Sequence, residues 1–204
     1  MRTLKICLFL ISFQFVFVLL VDGQEAPKGF SLYKVKSGDT LEKIAPRQHW
    51  DLILRVNRID ERHLPAGRNI LLPVSEKAET FCPVSRGYAE LASFAKVLVI
   101  FLDFQYFGAY ENGALVFWGP ISSGIKNNKT PKGDFKVLWK ARHYRSKKYE
   151  AEMPFAINFS KEGYFLHKQS LPGRPASHGC VRLLEKDAKK IFEWIKKDDK
   201  IIII

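Results

Sequence analysis

The chain has 204 residues, of which 47% are hydrophobic and 26% are charged, and this composition excludes disordered, collagen-like and low-complexity proteins. Lys and Arg total 33 against 21 Asp and Glu, a formal net charge of +12. That excess favours a polyanionic partner without choosing among nucleic acid, an anionic surface and acidic wall polymer. Three cysteines exclude a disulfide-rich scaffold and any four-cysteine zinc module.

Residues 1–23 are predicted to be a secretion signal. Arg2 and Lys5 precede an apolar run from Ile6 to Val21, which is shorter than the roughly 20 apolar residues of a membrane-spanning helix. Small residues near its end predict cleavage before Gln24, leaving no stable membrane span; an uncleaved anchor is the alternative. Export to the periplasm or cell wall disfavours nucleic acid as a partner, and a basic chain suits anionic wall material equally well.

The first folded unit is predicted between residues 31 and 74 as strand, helix, helix, strand. An alternating apolar pattern ends in a turn at Gly38, after which the apolar spacing becomes that of a helix. Asp39 or Thr40 is predicted to cap this helix, and Glu42 completes a capping box with Asp39.

Pro46 interrupts the first predicted helix. A proline in a helix interior costs roughly 3 kcal/mol, so the helix must end before Pro46, or this residue must lie in the first turn of a helix. A second helical pattern follows and ends near Asn57, before a turn and a short closing strand.

This unit resembles the lysin motif, or LysM module, which binds the N-acetylglucosamine-containing glycans of peptidoglycan and chitin. The residues that carry the resemblance span the whole unit and are Tyr33, Val35, Gly38, Asp39, Thr40, Leu41, Ile44, Ala45, Asn57, Leu64, Gly67 and Ile70–Pro73. The resemblance implies that Gly38, Asp39, Thr40 and Asn57 bind sugar from two neighbouring loops. The alternative is that these residues only cap helices and form turns.

Residues 75–95 are predicted to be a polar linker with one short helix from Tyr88 to Phe94, followed by a mainly β domain at 96–204. Asn112-Gly113 between two apolar runs is the strongest short hairpin signal. A helix is predicted from Glu185 to Lys196 because its apolar residues share one face. Further strands are predicted at Phe135–Trp139, Phe155–Phe159, Tyr164–His167 and Ile201–Ile204. The predicted fold class is α+β.

Cys180 is the candidate nucleophile. A thiol becomes nucleophilic when a neighbouring base or positive field converts it to thiolate, and histidine is the usual partner. His178 would share a face with Cys180 if both lay on one strand, and His167 comes from a separate predicted strand. The N–H groups around Gly179 and Cys180 are candidates for holding a developing oxyanion. The spacing therefore predicts a thiol acyl-transfer site.

The β domain resembles the catalytic domain of the L,D-transpeptidases. The matching segments run from about Val97 to the end of the chain and are Thr130–Phe135, the hairpin at 110–113, Trp139–Arg142, Leu171–Leu183 and the final helix. The resemblance implies that Cys180 attacks the carbonyl following the L-centre at position three of a peptidoglycan stem peptide and expels the terminal D-alanine. The amine of another stem, or an envelope protein, then accepts the acyl group, and no cofactor or metal is implied.

The same resemblance implies a role for each residue of the cysteine motif. His167 is the general base, oriented by the carbonyl of the following residue. His178 and Gly179 shape the oxyanion pocket, Ser177 braces the turn, and Arg182 offers a charge for a substrate carboxylate.

Several alternatives remain open at this point. Water could resolve the thioester, which would make the protein an L,D-carboxypeptidase, or the chain could be a non-catalytic peptidoglycan-binding protein. A zinc site built from His167, His178 and Cys180 is a further chemical alternative. Cys82 is predicted to be a free thiol, with a disulfide to Cys180 or an intermolecular bridge as the other readings.

Overall fold

The computed structural model describes residues 25–204, and the predicted secretion signal lies outside this range. In the first unit β1 (Phe30–Lys34) pairs antiparallel with β2 (Asn69–Pro73), and α1 (Leu41–Ile44) and α2 (Trp50–Asn57) lie between them in sequence. The predicted order of strand, helix, helix and strand is confirmed. No helix in the described range is long and apolar enough to cross a membrane.

Pro46 shortens α1 to a single turn. Ala45, the residue before the proline, has extended backbone angles of φ −156° and ψ 149°, as expected where a proline ring clashes with a helical predecessor. The chain then makes a 3₁₀ turn at Arg47–His49 and enters α2. Of the two predicted solutions for Pro46, the early end of the helix is the one adopted.

The remainder of the chain forms a curled sheet and one helix. Its elements are β3 (Lys96–Phe101), β4 (Tyr106–Glu111), β5 (Ala114–Ser122), β6 (Gly133–Lys136), β7 (Trp139–Ala141), β8 (Arg145–Ser146), β9 (Ala151–Glu152), β10 (Ala156–Asn158), β11 (Phe165–Lys168), β12 (Val181–Leu183), α3 (Glu185–Trp194) and β13 (Lys200–Ile203). Nine strands pair in the order β6-β13-β3-β4-β5-β12-β11-β10-β7. The predicted α+β class, with a mainly β second domain and a late helix, is confirmed.

The predicted strand over 135–139 is wrong, because two strands occupy this stretch. β6 and β7 lie at opposite ends of the nine-stranded order, yet only Val137 and Leu138 separate them in sequence. The sheet must therefore curl until its two edges approach each other. A continuous strand here would have to pair with β13 and β10 at once, so the chain breaks instead.

Two turn predictions have different outcomes. The β4–β5 hairpin turns at Asn112 (φ 48°) and Gly113 (φ 81°), the left-handed pair that a tight hairpin requires. The predicted helix from Tyr88 to Phe94 is reduced to a 3₁₀ turn at Ala89–Leu91, and a second 3₁₀ turn spans Glu76–Thr80.

The first unit docks on the sheet through α2 and the chain after it. Arg55 of α2 forms an ion pair with Asp187 of α3 at 2.7 Å, and the Asp187 side chain is only 3% exposed. The Tyr106 hydroxyl donates to the Val56 carbonyl at 2.8 Å. Burial raises the pKa of Asp187, and Arg55 opposes that rise, so the ion pair keeps a carboxylate where an unpaired one would be unstable.

The loop after α2 also pairs with the loop that leads to the cysteine motif. The Asp60 N–H donates to the Leu171 carbonyl at 2.9 Å, and the Asp60 carboxylate accepts the Leu171 N–H at 2.8 Å. The Gly173 N–H donates to the Arg58 carbonyl at 3.0 Å. The first unit therefore braces the segment that precedes Cys180.

Replacing Arg55 with methionine is expected to destabilise the protein by about 3–5 kcal/mol, because it leaves the buried Asp187 carboxylate uncompensated. Chemical denaturation followed by fluorescence measures this change. The double variant with Asp187→Leu is expected to recover most of the loss, since no buried charge remains. Lys186→Met removes the exposed pair with Asp51 and should cost less than about 1 kcal/mol; an equal loss in both single variants would contradict the assignment.

Candidate active site

Two parallel strands bring the candidate nucleophile and base to one face of the sheet. β11 and β12 pair in parallel, with His167 opposite Arg182 and Leu166 opposite Val181. Leu166 and Val181 are completely buried in the sheet core. Because side chains alternate along a strand, His167 and Arg182 lie on the opposite face, and Cys180 directly precedes β12 on that same side.

The environment of Cys180 favours a thiol over a thiolate. Its side chain is half-buried against Met153, Ala156 and Phe165. Burial raises the pKa of the Cys180 thiol, and the backbone of Phe165 and the charge of Arg182 only partly oppose this rise. The predicted thiolate is therefore not the favoured resting form, and the proton must leave during attack. Cys82 and Cys180 are both free.

His167 is held in a defined tautomer. Its Nδ1–H donates to the Lys168 carbonyl at 2.9 Å, which is the orienting contact that the resemblance implies. Because a carbonyl only accepts, Nδ1 carries the proton and Nε2 keeps the lone pair of a base. Burial lowers the pKa of His167 to about 4, Arg182 lowers it further, and the hydrogen bond to Lys168 opposes the shift. The ring is thus neutral at physiological pH.

Ser177 braces the turn before the nucleophile. Its hydroxyl donates to the Cys180 carbonyl at 2.5 Å and accepts the Gly179 N–H at 3.0 Å. The Gly179 N–H is therefore engaged inside the turn, which corrects its predicted use as an oxyanion donor. Gly179 has φ +113°, and a Cβ there would lie 2.5 Å from a ring carbon of Tyr164, so only glycine fits.

His178 does not lie on a strand, so it does not share a strand face with Cys180. β12 begins at Val181, and the left-handed Gly179 separates His178 from extended backbone. The exposed His178 ring stacks on Tyr149 at 5.1 Å between centroids and 19° between planes. Tyr149 lies in the turn of the β8–β9 hairpin, which sequence analysis missed because two-residue strands give no detectable alternation.

No metal site accompanies these residues in the range 25–204. No group of three His, Cys, Asp or Glu side chains there is arranged to hold a metal ion. Both histidines of the zinc alternative make other contacts: His178 stacks on Tyr149, and His167 donates to the Lys168 carbonyl.

The loop that contains Gly38, Asp39 and Thr40 differs from the predicted capping box. The Asp39 carboxylate accepts the Lys36 N–H at 2.7 Å and the Tyr33 hydroxyl at 2.8 Å, and these bonds lower the pKa of Asp39. Thr40 holds the N-cap position without a side-chain cap bond, so Asp39 closes the preceding turn instead of capping α1. Gly38 is exposed at φ +80° with open space around it.

Asn57 is committed to the internal structure of the first unit. Its amide nitrogen donates to the carbonyls of Ile53 and Leu71 at 2.8 and 2.9 Å, and its amide oxygen accepts the Leu71 N–H at 2.8 Å. These three bonds tie α2 to β2. Asn57 therefore has a structural role, which was the alternative to sugar binding. Gly38, Asp39 and Thr40 line the other loop and remain accessible or half-buried.

A small strand–helix–helix–strand module docked on a curled sheet, with a buried histidine and a cysteine on one sheet face, defines a two-domain protein with a candidate thiol acyl-transfer site. Residues 95–203 match the L,D-transpeptidase catalytic domain named YkuD, and residues 33–73 match the LysM domain. The chain belongs to the L,D-transpeptidase family and carries a LysM domain ahead of its catalytic domain.

Named relatives agree with this assignment. The chain is 27% identical over 182 residues to an L,D-transpeptidase called YkuD of Bacillus subtilis, covering 84% of this chain and 97% of that protein. It is similar to the crystal structure of an L,D-transpeptidase from Stackebrandtia nassauensis, with 26% identity, a TM-score of 0.53 and coverage of 62% of each chain. The L,D-transpeptidase LdtMt1, solved in complex with imipenem, shares the fold at 23% identity and a TM-score of 0.51, over 54% of this chain and 59% of its own.

Proposed function

We propose that this protein transfers the acyl group of a peptidoglycan stem tetrapeptide through a Cys180 thioester to an amine, with loss of D-alanine. The observation that carries the proposal is the parallel pairing of β11 and β12, which sets His167 and Cys180 on one face. The bond from Nδ1 of His167 to Lys168 adds support, because it leaves Nε2 as a base.

In the first half-reaction, His167 Nε2 takes the thiol proton as Sγ of Cys180 attacks the carbonyl carbon at position three. The C–S bond forms, and the carbonyl oxygen becomes an oxyanion for which the Cys180 N–H is the candidate donor. His167 then gives its proton to the departing amine of D-alanine as the C–N bond breaks. A thioester on Cys180 remains.

The second half-reaction reverses these proton transfers. The amine of another stem attacks the thioester carbonyl, and His167 removes a proton from that amine. The C–S bond breaks, and the proton returns to the Cys180 sulfur, so the enzyme is regenerated. Burial of the neutral His167 suits this sequence, because the ring must gain and lose one proton in each half-reaction.

Arg182 is the candidate partner for a substrate carboxylate. Its guanidinium is half-buried and forms no ion pair or side-chain hydrogen bond with any residue from 25 to 204. A half-buried cation without a protein partner favours an anionic ligand.

The LysM domain is proposed to hold the protein on glycan strands. The accessible loop at Gly38, Asp39 and Thr40 is the proposed contact, and Asn57 contributes by fixing the neighbouring loop. Both domains act on wall material, so we propose that residues 1–23 direct export and that the protein works in the periplasm or cell wall.

Incubation with purified disaccharide tetrapeptides, followed by mass spectrometry, tests the reaction class. Crosslinked dimers with loss of one D-alanine per link are the expected products. Shortened monomers without dimers would assign the thioester to water and make the protein an L,D-carboxypeptidase. Unchanged substrate, under conditions in which the protein binds wall glycan, would indicate that the protein is a non-catalytic binding protein.

A further inference from the structure

The excess of positive over negative charge in the described chain is confined to three segments. Residues 25–204 contain 31 Lys and Arg and 20 Asp and Glu, a net charge of +11. The segments 123–132, 139–149 and 168–182 together hold 11 Lys and Arg and no acidic residue. The rest of the described range holds 20 of each sign and is neutral. The excess therefore belongs to these segments and not to the surface in general.

These three segments frame the Cys180 site. Gly124 forms a parallel bridge with Ser177, and the Ile125 N–H donates to the Ser177 carbonyl at 3.0 Å. Tyr149, at the end of the second segment, stacks on His178. The third segment contains the cysteine motif itself. Tertiary contacts thus bring residues of all three segments to the nucleophile. Lys140 and Arg142 are exceptions, because they contact the end of α3, where the Lys140 amine donates to the Phe192 and Ile195 carbonyls.

Most of these cations lack an acidic partner. Eight of the eleven are exposed. Arg145 is paired with Glu152, and Arg142 lies over the rings of Phe155 and Phe192. The other six form what we call the basic rim, namely Lys126, Lys129, Lys132, Lys147, Lys148 and Arg174. None of the six has a carboxylate within 4.0 Å among residues 25–204.

The acidic residues nearest in sequence leave the basic rim uncompensated. Glu152 lies 3.4 Å from Arg145, Glu185 lies 3.6 Å from Lys168, and Asp134 lies 3.0 Å from Lys200, so each is paired with a cation outside the rim. Glu162 is bonded to Ser160. Glu150 follows the second segment directly and is the one carboxylate of the β8–β9 turn. Of these acidic residues, Glu150 and Glu162 are thus the ones without a cation partner, and two carboxylates against six cations leave the potential over the site positive.

We propose that the basic rim selects stem peptides whose carboxyl groups at positions two and three are free, over stems in which they are amidated. This inference rests on the proposed transpeptidase function and names its substrate class. A one-signed rim around a cleft raises the local concentration of anions and speeds their encounter. The stem with free carboxylates carries more negative charge than the amidated stem. The basic rim therefore attracts the two substrates to different extents.

Steady-state kinetics with two otherwise identical tetrapeptides, one with free carboxyl groups and one amidated, tests the proposal. The wild-type protein is expected to show a KM lower by roughly fivefold for the free form, a value typical of a few exposed charges. The triple variant Lys126→Gln, Lys129→Gln, Lys132→Gln should lose most of this preference. The preference should also shrink above about 0.1 M salt, where the screening length falls to about 10 Å.

A matched control separates the rim from total charge. Lys189→Gln, Lys196→Gln, Lys197→Gln removes the same three charges from exposed positions of α3 and the turn after it, and should keep the preference. Alkylation of Cys180 by the neutral reagent iodoacetamide should proceed equally in both triple variants, which checks that the site is intact.

The outcomes separate this inference from the function on which it rests. Turnover of neither stem by wild-type protein contradicts the transpeptidase proposal. Turnover of both stems with equal KM contradicts the rim proposal alone. The rim variant can also be tested for retention on a polyanionic wall polymer. Equal KM values for the two stems, together with weaker retention of the rim variant, would show that the lysines bind that polymer. This result would overturn the selection of stems.

Discussion

Wild-type protein is expected to form a covalent adduct with a carbapenem, and Cys180→Ala is expected to abolish it. Acylation needs a sulfur nucleophile at this position, and alanine leaves the neighbouring backbone without a reactive atom. The β-lactam carbonyl replaces the stem carbonyl in the first half-reaction, so the experiment reports that step alone. Intact-protein mass spectrometry measures it as a mass increase of one drug molecule.

Cys82→Ser is the matched control for Cys180→Ala. Both cysteines are free and half-buried, but Cys82 donates to the Val84 carbonyl at 3.2 Å and packs beside a different core cluster. The Cys82 variant should form the adduct at the wild-type yield. An adduct of unchanged yield on Cys180→Ala protein would refute the assignment of the nucleophile.

His167→Ala is expected to slow acylation by about 10²- to 10⁴-fold, the usual contribution of a positioned general base. The effect should be large because burial keeps Cys180 protonated, so the sulfur depends on a base to become nucleophilic. Stopped-flow measurement of carbapenem acylation gives the rate. His49→Gln, on the 3₁₀ turn of the LysM domain, should acylate at the wild-type rate; equal rates in all three proteins would remove His167 from the mechanism.

The pH dependence of acylation provides a second readout for His167. Its pKa is lowered from 6.5 to about 4, so the ring is an unprotonated base at neutral pH. As the pH falls through about 4, the ring gains a proton and loses its lone pair, and the rate should decline there. An acid limb near pH 6.5 would contradict a buried His167. Because the unfolded chain binds this proton more readily, the contribution to stability should decrease as the pH falls below about 6.5.

The pKa shifts of Cys180 and His167 favour a resting pair of neutral thiol and neutral imidazole over a thiolate and an imidazolium. The raised pKa of Cys180 and the lowered pKa of His167 both disfavour the charged form. Proton transfer and attack are therefore expected to occur together. The alkylation rate of Cys180 should accordingly keep increasing with pH above neutrality, as the thiol ionises.

Local sequence patterns determined the elements whose causes lie within a few residues. The helical and alternating spacings predicted the order of the LysM domain, and Pro46 predicted the early end of α1, because a proline ring acts on its immediate predecessor. Asn112 and Gly113 predicted the hairpin turn through their tolerance of left-handed angles. The spacing of Cys180 to two histidines predicted the candidate nucleophile, and the resemblance to the L,D-transpeptidases implied the role of His167 as base.

Only the tertiary structure decided how those local pieces are used. It showed that Asn57 ties α2 to β2, that Gly179 donates to Ser177 and that Asp39 does not cap α1. It also split the strand at 135–139 and docked Arg55 against Asp187, 132 residues away. A polar side chain or N–H has several possible partners, and the one it takes depends on which distant strands and loops the fold brings within hydrogen-bonding distance. Sequence spacing does not contain that information.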